Sequence, residues 1–307
     1  MSRKRRKATV HGWIALDKPL GLSSNAALGR LKRLFDCPKA GHAGTLDPLA
    51  TGMLPVAFGE ATKTVPFIVD GSKTYRFEAV WGVRTSTDDL EGEAVGTSEK
   101  RPALSEIDAT LPAFIGTIRQ VPPQYSAIKI GGERAYKLAR SGEDVEMPSR
   151  EVEIHDLRRI DDGDDRLVER TTFDCDCGKG TYIRAIARDL GEAMGCHAHV
   201  GMLRRLRVGP FHEAAMVTFE EIEAAAEKGP QALASLVQPL ESALTDMPRV
   251  EVGFDDAATL RRGQPILLRG RDAPVVHGPV CVMCDGVAVA LAEGAGGQIH
   301  PRRVFQY

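Results

Sequence analysis

The stretch Gly41-His-Ala-Gly-Thr-Leu-Asp-Pro-Leu-Ala-Thr-Gly52 sets two side chains of reactive type among small and apolar neighbours. Its three glycines and one proline dictate a particular loop path. Inside it the Asp47 carboxylate has no charged neighbour in the chain. Such a group is either a turn former ahead of Pro48 or a carboxylate held for a job. His42 likewise either packs or reacts. A second candidate is Gly178-Lys-Gly-Thr-Tyr-Ile-Arg184. With Thr181 as N-cap, Arg184 falls in the first turn of a predicted helix. A cation there opposes the helix dipole by roughly a few tenths of a kcal/mol. A local rule broken at a helix start points to a partner; the alternative is a surface arginine paired with Asp or Glu. Tyr75 ends an inward row with Phe77 and Trp81, and core packing alone accounts for that row. His199-Val-Gly-Met-Leu-Arg-Arg-Leu-Arg207 gathers three arginines around apolar residues, a stripe that either meets phosphate or forms a solvated edge.

The elements that must position these groups read as a mixed α+β body. Val10 to Leu16 alternates as a strand, and Ser23 or Ser24 caps a helix that turns Ala27, Leu31 and Leu34 inward. Residues 41–59, rich in Gly and Pro, read mostly as loop. Thr74 to Trp81 alternates cleanly as a strand. A helix starts at Ser105 with Ile107, Leu111, Phe114 and Ile115 inward, and Leu167 to Cys177 is another strand after the solvated turn Asp161-Asp-Gly-Asp-Asp165. Thr181 to Met194 has helical spacing and is closed by Gly195. Thr218-Phe-Glu-Glu221 is a capping box. Near residue 246 the texture changes to short apolar runs, and Asp285-Gly286 between Val280–Cys284 and Val287–Ala292 is a hairpin signal. A small β-barrel over residues 247–307, appended to a body over 10–246, is the expected organisation.

Composition narrows the function classes. The chain has 307 residues and a net charge of −2, which excludes a uniformly basic nucleic-acid binder. The average hides a split: residues 1–40 carry +8 and the remainder −10. No apolar run approaches a membrane span, and the basic start lacks the apolar stretch of a signal peptide. Six cysteines do not make a disulfide framework; Cys281 and Cys284 read as packed strand residues, and a reducing cytoplasm is expected.

Together the segments form a recognisable set. Leu16-Asp-Lys-Pro-Leu-Gly21, the Gly41–Gly52 loop, Lys73-Thr-Tyr-Arg76, Val121-Pro-Pro-Gln-Tyr-Ser-Ala-Ile-Lys129, Lys179-Gly-Thr-Tyr-Ile-Arg184 and Ala198-His-Val-Gly-Met-Leu-Arg-Arg-Leu206 stand in this order. In them the chain resembles the TruB family of tRNA pseudouridine synthases, which isomerise uridine 55 in the tRNA T loop. The likeness covers most of residues 10–210. The C-terminal segment looks like a PUA barrel, an RNA-binding module. Residues 1–9 lie outside the likeness and read as a disordered basic arm.

The resemblance implies a mainly antiparallel sheet with flanking helices, Asp47 as nucleophile and Arg184 as its ion-pair partner. It implies that the uridine is flipped out, that His42 fills the vacated space, and that Tyr75 stacks on the uracil with its phenol a candidate base. Tyr182 and Leu203 would line the pocket. Lys129 and Arg134 would lie in a thumb over about residues 121–150. Lys18, Lys63 and the arginines at 204, 205 and 207 would meet phosphates. No cofactor or metal is implied; the partner is tRNA, with no membrane and no protein partner, and the chain is expected to be monomeric. Two other readings stay open: a tRNA-binding folding factor without essential chemistry, and a carboxylate hydrolase, which needs a second acid in reach.

Overall fold

The computed structural model describes residues 10–126, 128–141, 146–160, 167–268 and 274–307. The basic arm and the Asp161–Asp165 turn lie outside the described residues. Seven strands form the backbone of the main sheet: β1 (Gly12–Lys18), β2 (Ala50–Phe58), β3 (Lys73–Trp81), β4 (Gly116–Gln120), β5 (Arg150–Arg159), β6 (Arg170–Cys177) and β7 (Ala198–Val208). Their order is β1-β2-β7-β3-β6-β5-β4. Every pair is antiparallel except β2 with β7, which is parallel. The mixed, mainly antiparallel α+β body is therefore present.

β3 alternates as its sequence indicates. Phe77, Ala79 and Trp81 are buried, and with Phe173 and Cys175 of β6 they pack on helix α2 (Ile183–Ala193) through Ile183, Ile186 and Leu190. β1 does not alternate. Its Trp13 and Ala15 join one core cluster while Ile14 and Leu16 join another, because this end of the sheet is covered on both faces. Helices α1 (Ser24–Leu34) and α3 (Phe219–Lys228) supply the second cover through Ala27, Leu31, Phe219 and Ile222. Ser23 caps α1, and Thr218 with Glu221 closes the capping box on α3.

Several boundaries differ from the sequence reading. Residues 50–58 are a nine-residue buried strand rather than loop. Pro55 fits there because its carbonyl accepts from Ala43 N–H on the side away from β1, so its missing N–H breaks no ladder bond to β1. Tyr182, not Thr181, is the N-cap of α2, and the Thr181 hydroxyl donates to the Gly178 carbonyl instead. Leu167 is exposed ahead of β6, and Ile115 is exposed beyond its helix.

The C-terminal strands β8 (Arg249–Glu251), β9 (Ile266–Leu267), β10 (Gly278–Cys284), β11 (Val287–Ala295) and β12 (Gln298–Val304) form an open sheet ordered β8-β10-β11-β12-β9. This differs from the closed barrel that the sequence leads one to expect. Among the described residues no ladder joins the short edge strands β8 and β9, so the sheet stays open. Asp285 and Gly286 both adopt positive φ, 53° and 73°, as the hairpin turn demands. Cys281 and Cys284 are buried on β10. This sheet shares a core with the body: Cys281, Met283, Leu291 and Phe305 pack in one cluster with Trp13, Met53 and Phe211.

Candidate active site

The Asp47 loop is fixed at nearly every residue. The buried Ser24 hydroxyl donates to the Leu46 carbonyl at 2.9 Å and accepts from Leu46 N–H at 2.8 Å. Gly21 N–H and the Lys18 ammonium both donate to the Pro48 carbonyl, at 2.8 and 3.3 Å. Arg205 donates to the carbonyls of Gly44, at 3.0 Å, and Thr45, at 3.4 Å. Backbone anchors on both sides leave the Asp47 side chain alone to project, and it stays 39% exposed.

It projects into an open cleft of about 730 Å³ whose lining includes Tyr75, Asp89, Tyr182, Arg184 and Leu203. Arg184 is buried and forks between two carboxylates, Asp47 at 3.0 Å and Asp89 at 3.4 Å. It also donates to the carbonyls of Thr87, at 2.8 Å, and Tyr125, at 2.9 Å. Asp89 is held in turn by the Thr87 hydroxyl and by Glu91 N–H. The guanidinium is thus fixed on its inner side and offers one edge to Asp47, an arrangement that aims a carboxylate. The cation at the start of α2 has the partner its position calls for, plus a second that sequence reasoning misses. Asp89 sits in Ser86-Thr-Asp-Asp-Leu90, where two adjacent acids in a short turn are the available signal.

Tyr75 packs against both main core clusters with Leu203, so it forms the floor of the cleft. Burial pushes its phenol above the ordinary value, and the Arg205 charge opposes that push. Tyr182 is pinned through its backbone: its N–H donates to the Gln120 side chain at 2.8 Å and its carbonyl accepts from it at 3.1 Å. The Arg150 guanidinium lies over the Tyr182 ring, 4.8 Å from its centre.

The remaining candidates sit elsewhere. His42 is half-buried outside the cleft lining; burial first and the Arg205 charge second lower its pKa, and its buried Nδ1 has no partner among the described residues. Lys129 lies on the two-residue strand Lys129–Ile130, paired with Glu133–Arg134; the side chains of Lys129 and Arg134 are outside the described residues.

The expected phosphate contacts need correction, because the structure gives these cations internal work. Lys18 has no exposed surface, and its ammonium also donates to the Leu22 carbonyl at 2.7 Å. Burial brings it down to about 8, with the Asp47 charge opposing. Lys63 bonds Glu60 and the Val304 carbonyl, at 2.5 and 2.6 Å. Arg204 pairs with Asp17 and Glu213, and Arg207 with Asp176. Arg205 is 1% exposed. Among the described residues no group of three or more His, Cys, Asp or Glu side chains converges to hold a metal ion.

Comparison with known proteins follows the same residues. The model for the TruB family pseudouridylate synthase N-terminal domain matches residues 32–183, and that for the tRNA pseudouridylate synthase B C-terminal domain matches 184–245. A tRNA pseudouridine synthase B from Rhodopseudomonas palustris is 54% identical over 98% of this chain and 82% of its own. The Brucella ovis protein of that name is 48% identical, covering 98% of both chains. Among solved structures, a Cbf5-Nop10-Gar1 complex aligns with a TM-score of 0.74 at 23% identity, over 99% of this chain and 91% of that one, a likeness of fold. With the matched segments spanning the Asp47 loop, β3, α2 and β7, the chain belongs to the TruB family of pseudouridylate synthases.

Proposed function

We propose that this chain converts uridine to pseudouridine in the T loop of tRNA, at the position its family modifies. The observation that carries the reading is the Asp47–Arg184 pair at the mouth of a cleft floored by Tyr75 and Leu203. The N1–C1′ bond breaks, uracil turns, and a C5–C1′ bond forms; the C5 proton leaves and N1 gains one. An ionised Asp47 manages the sugar or the ring between these steps. Flipping costs a few kcal/mol, and Tyr75 and Tyr182 offer ring surface to repay it. The hydrolase reading needs a second acid in reach. Asp89 is near, but it is buried and engaged by the Thr87 hydroxyl, Glu91 N–H and Arg184, so it serves the guanidinium.

We extend the proposal to the C-terminal sheet as an RNA-contacting unit, since Arg302 and Arg303 on β12 are exposed. A monomer acting in the cytoplasm completes the reading. The test is mapping of pseudouridine in tRNA incubated with the protein and with Asp47→Asn. Isomerised uridine with the first and none with the second supports the proposal; free uracil instead of pseudouridine, or equal conversion by both, overturns it.

A further inference from the structure

Arg205 holds a position that neither its neighbours nor its exposure explain. It lies on β7 between the two strands that carry the site, opposite Gly52 of β2 on one side and Tyr75 of β3 on the other. Its Nε donates to the Met53 carbonyl at 2.8 Å, just past the Asp47 loop. Its two terminal nitrogens donate to Gly44 and Thr45, just before Asp47. The guanidinium carbon stands 6.0 Å from the centre of the Tyr75 ring. Among the described residues it makes no ion pair, although it is almost wholly buried. A buried cation without a countercharge is costly, and an apolar residue would fill a core position at less cost.

Two glycines of the motif make this arrangement possible. Gly44 has φ +95°, and a Cβ there would stand 3.4 Å from an Arg205 terminal nitrogen; Gly52 has φ +94°, and a Cβ there would stand 2.3 Å from the Arg205 carbonyl. Both sit in the left-handed region that favours glycine.

We propose that Arg205 is a positioning residue of the reaction, a buried fork that sets the Asp47 loop and Tyr75 in one frame. This rests on the proposed pseudouridine synthesis. Only a planar fork reaches three carbonyls on two segments while lying beside the phenol; an ammonium is a point charge that cannot span them. The groups facing Tyr75 from its neighbouring strands are Arg205 itself on β7 and Cys175 and Cys177 on β6. Arg205 is therefore the one cation among them.

The test uses the full chain with Arg205→Lys and Arg205→Ala and a tRNA substrate, measuring single-turnover conversion and RNA affinity separately. The expected result is a loss of about 100-fold in the conversion step, the scale of a small misplacement of reacting groups, with affinity within about threefold of the parent, a margin under 1 kcal/mol. Methylguanidinium is expected to restore Arg205→Ala at least partly while methylammonium does not, and neither restores Asp47→Asn. A folded Arg205→Lys protein that converts at the parent rate overturns the inference. So does a loss carried entirely by affinity, or equal rescue by the two amines. Should Arg205→Ala fail to fold, Arg205→Lys decides by the same rate and affinity criteria. If the parent protein makes no pseudouridine, the proposed function fails; if the parent works and Arg205→Lys works equally, only the role of Arg205 fails.

Discussion

Replacing Arg184 by lysine keeps a charge and removes a fork. The arginine binds the carboxylates of Asp47 and Asp89 and the carbonyls of Thr87 and Tyr125. A lysine ammonium has three donors on one atom, and burial would draw it toward Asp89, which is 8% exposed, rather than Asp47 at 39%. The 3.0 Å ion pair that aims the proposed nucleophile is then the one a lysine fails to make. Two unit charges about 4 Å apart near a protein surface attract by about 4 kcal/mol, and the exposure of Asp47 cuts that by about half or more. Taking about 1.5–2 kcal/mol gives roughly a 10- to 30-fold slower chemical step. The assay is single-turnover conversion of a T stem-loop RNA at saturating protein, with RNA affinity measured beside it. Affinity is expected to stay near the parent value. A rate within twofold of the parent, in a protein that melts normally, would refute the aiming role.

Other expectations follow from the same geometry. Asp47→Asn is expected to abolish conversion and leave tRNA binding intact, read by pseudouridine mapping and a binding titration. Asp89→Asn removes the inner anchor of Arg184 without touching the cleft floor, and is expected to slow conversion by roughly 10-fold or more while affinity holds; an unchanged rate counts against that anchor. Burial alone would push Glu60 up, but hydrogen bonds from Lys39, Lys63 and Gln306 N–H hold it down to about 2, against an ordinary 4.5. A depressed carboxyl stabilises above its unfolded value and loses that contribution as pH falls toward its folded one. The stability gap between the parent and Glu60→Gln should therefore be full above pH 4.5 and close by about pH 2, at most about 3 kcal/mol; denaturant melts at several pH values check it, and a gap that persists in acid refutes it. Arg302→Glu with Arg303→Glu is expected to weaken tRNA binding and flatten its salt dependence by roughly two counterions.

The Asp47–Arg184 pair is legible where local chemistry breaks a local rule. Asp47 stands out because nothing charged accompanies it, and Arg184 because a cation at a helix start needs a reason. The Phe77, Ala79 and Trp81 row is legible because one face of β3 is core and the other carries ion pairs such as Arg76 with Asp174. β2 is not legible, because glycine and proline read as loop formers, whereas Gly52 admits β7 and Pro55 falls where its missing N–H breaks no bond to β1. Asp89 shows in sequence only as one of two adjacent acids in a turn: its pairing is with Arg184, 95 positions away, and no periodicity reports such a pairing. A separate C-terminal unit reads well as sequence texture, but its packing on Trp13 and Phe211 depends on surfaces far apart in the chain.

The charge pattern yields a different argument once the arginines are placed. By sequence, Arg204, Arg205 and Arg207 form a stripe expected to meet phosphate, and Arg184 and Arg188 lie on the helix before it. Each is turned inward or neutralised: Arg188 pairs with Asp88 and Asp189, Arg204 with Asp17 and Glu213, Arg207 with Asp176. A guanidinium already paired with a carboxylate displaces few counterions from RNA, so it adds little to salt-dependent affinity. These arginines bind the protein's own backbone carbonyls and carboxylates. On the proposed function, phosphate contact would fall to cations exposed on strands and loops, such as Arg119, Arg302 and Arg303. On the proposed function, specific chemistry and RNA affinity would rest on separate sets of cations, and substitutions in one set should leave the other's measurement nearly unmoved.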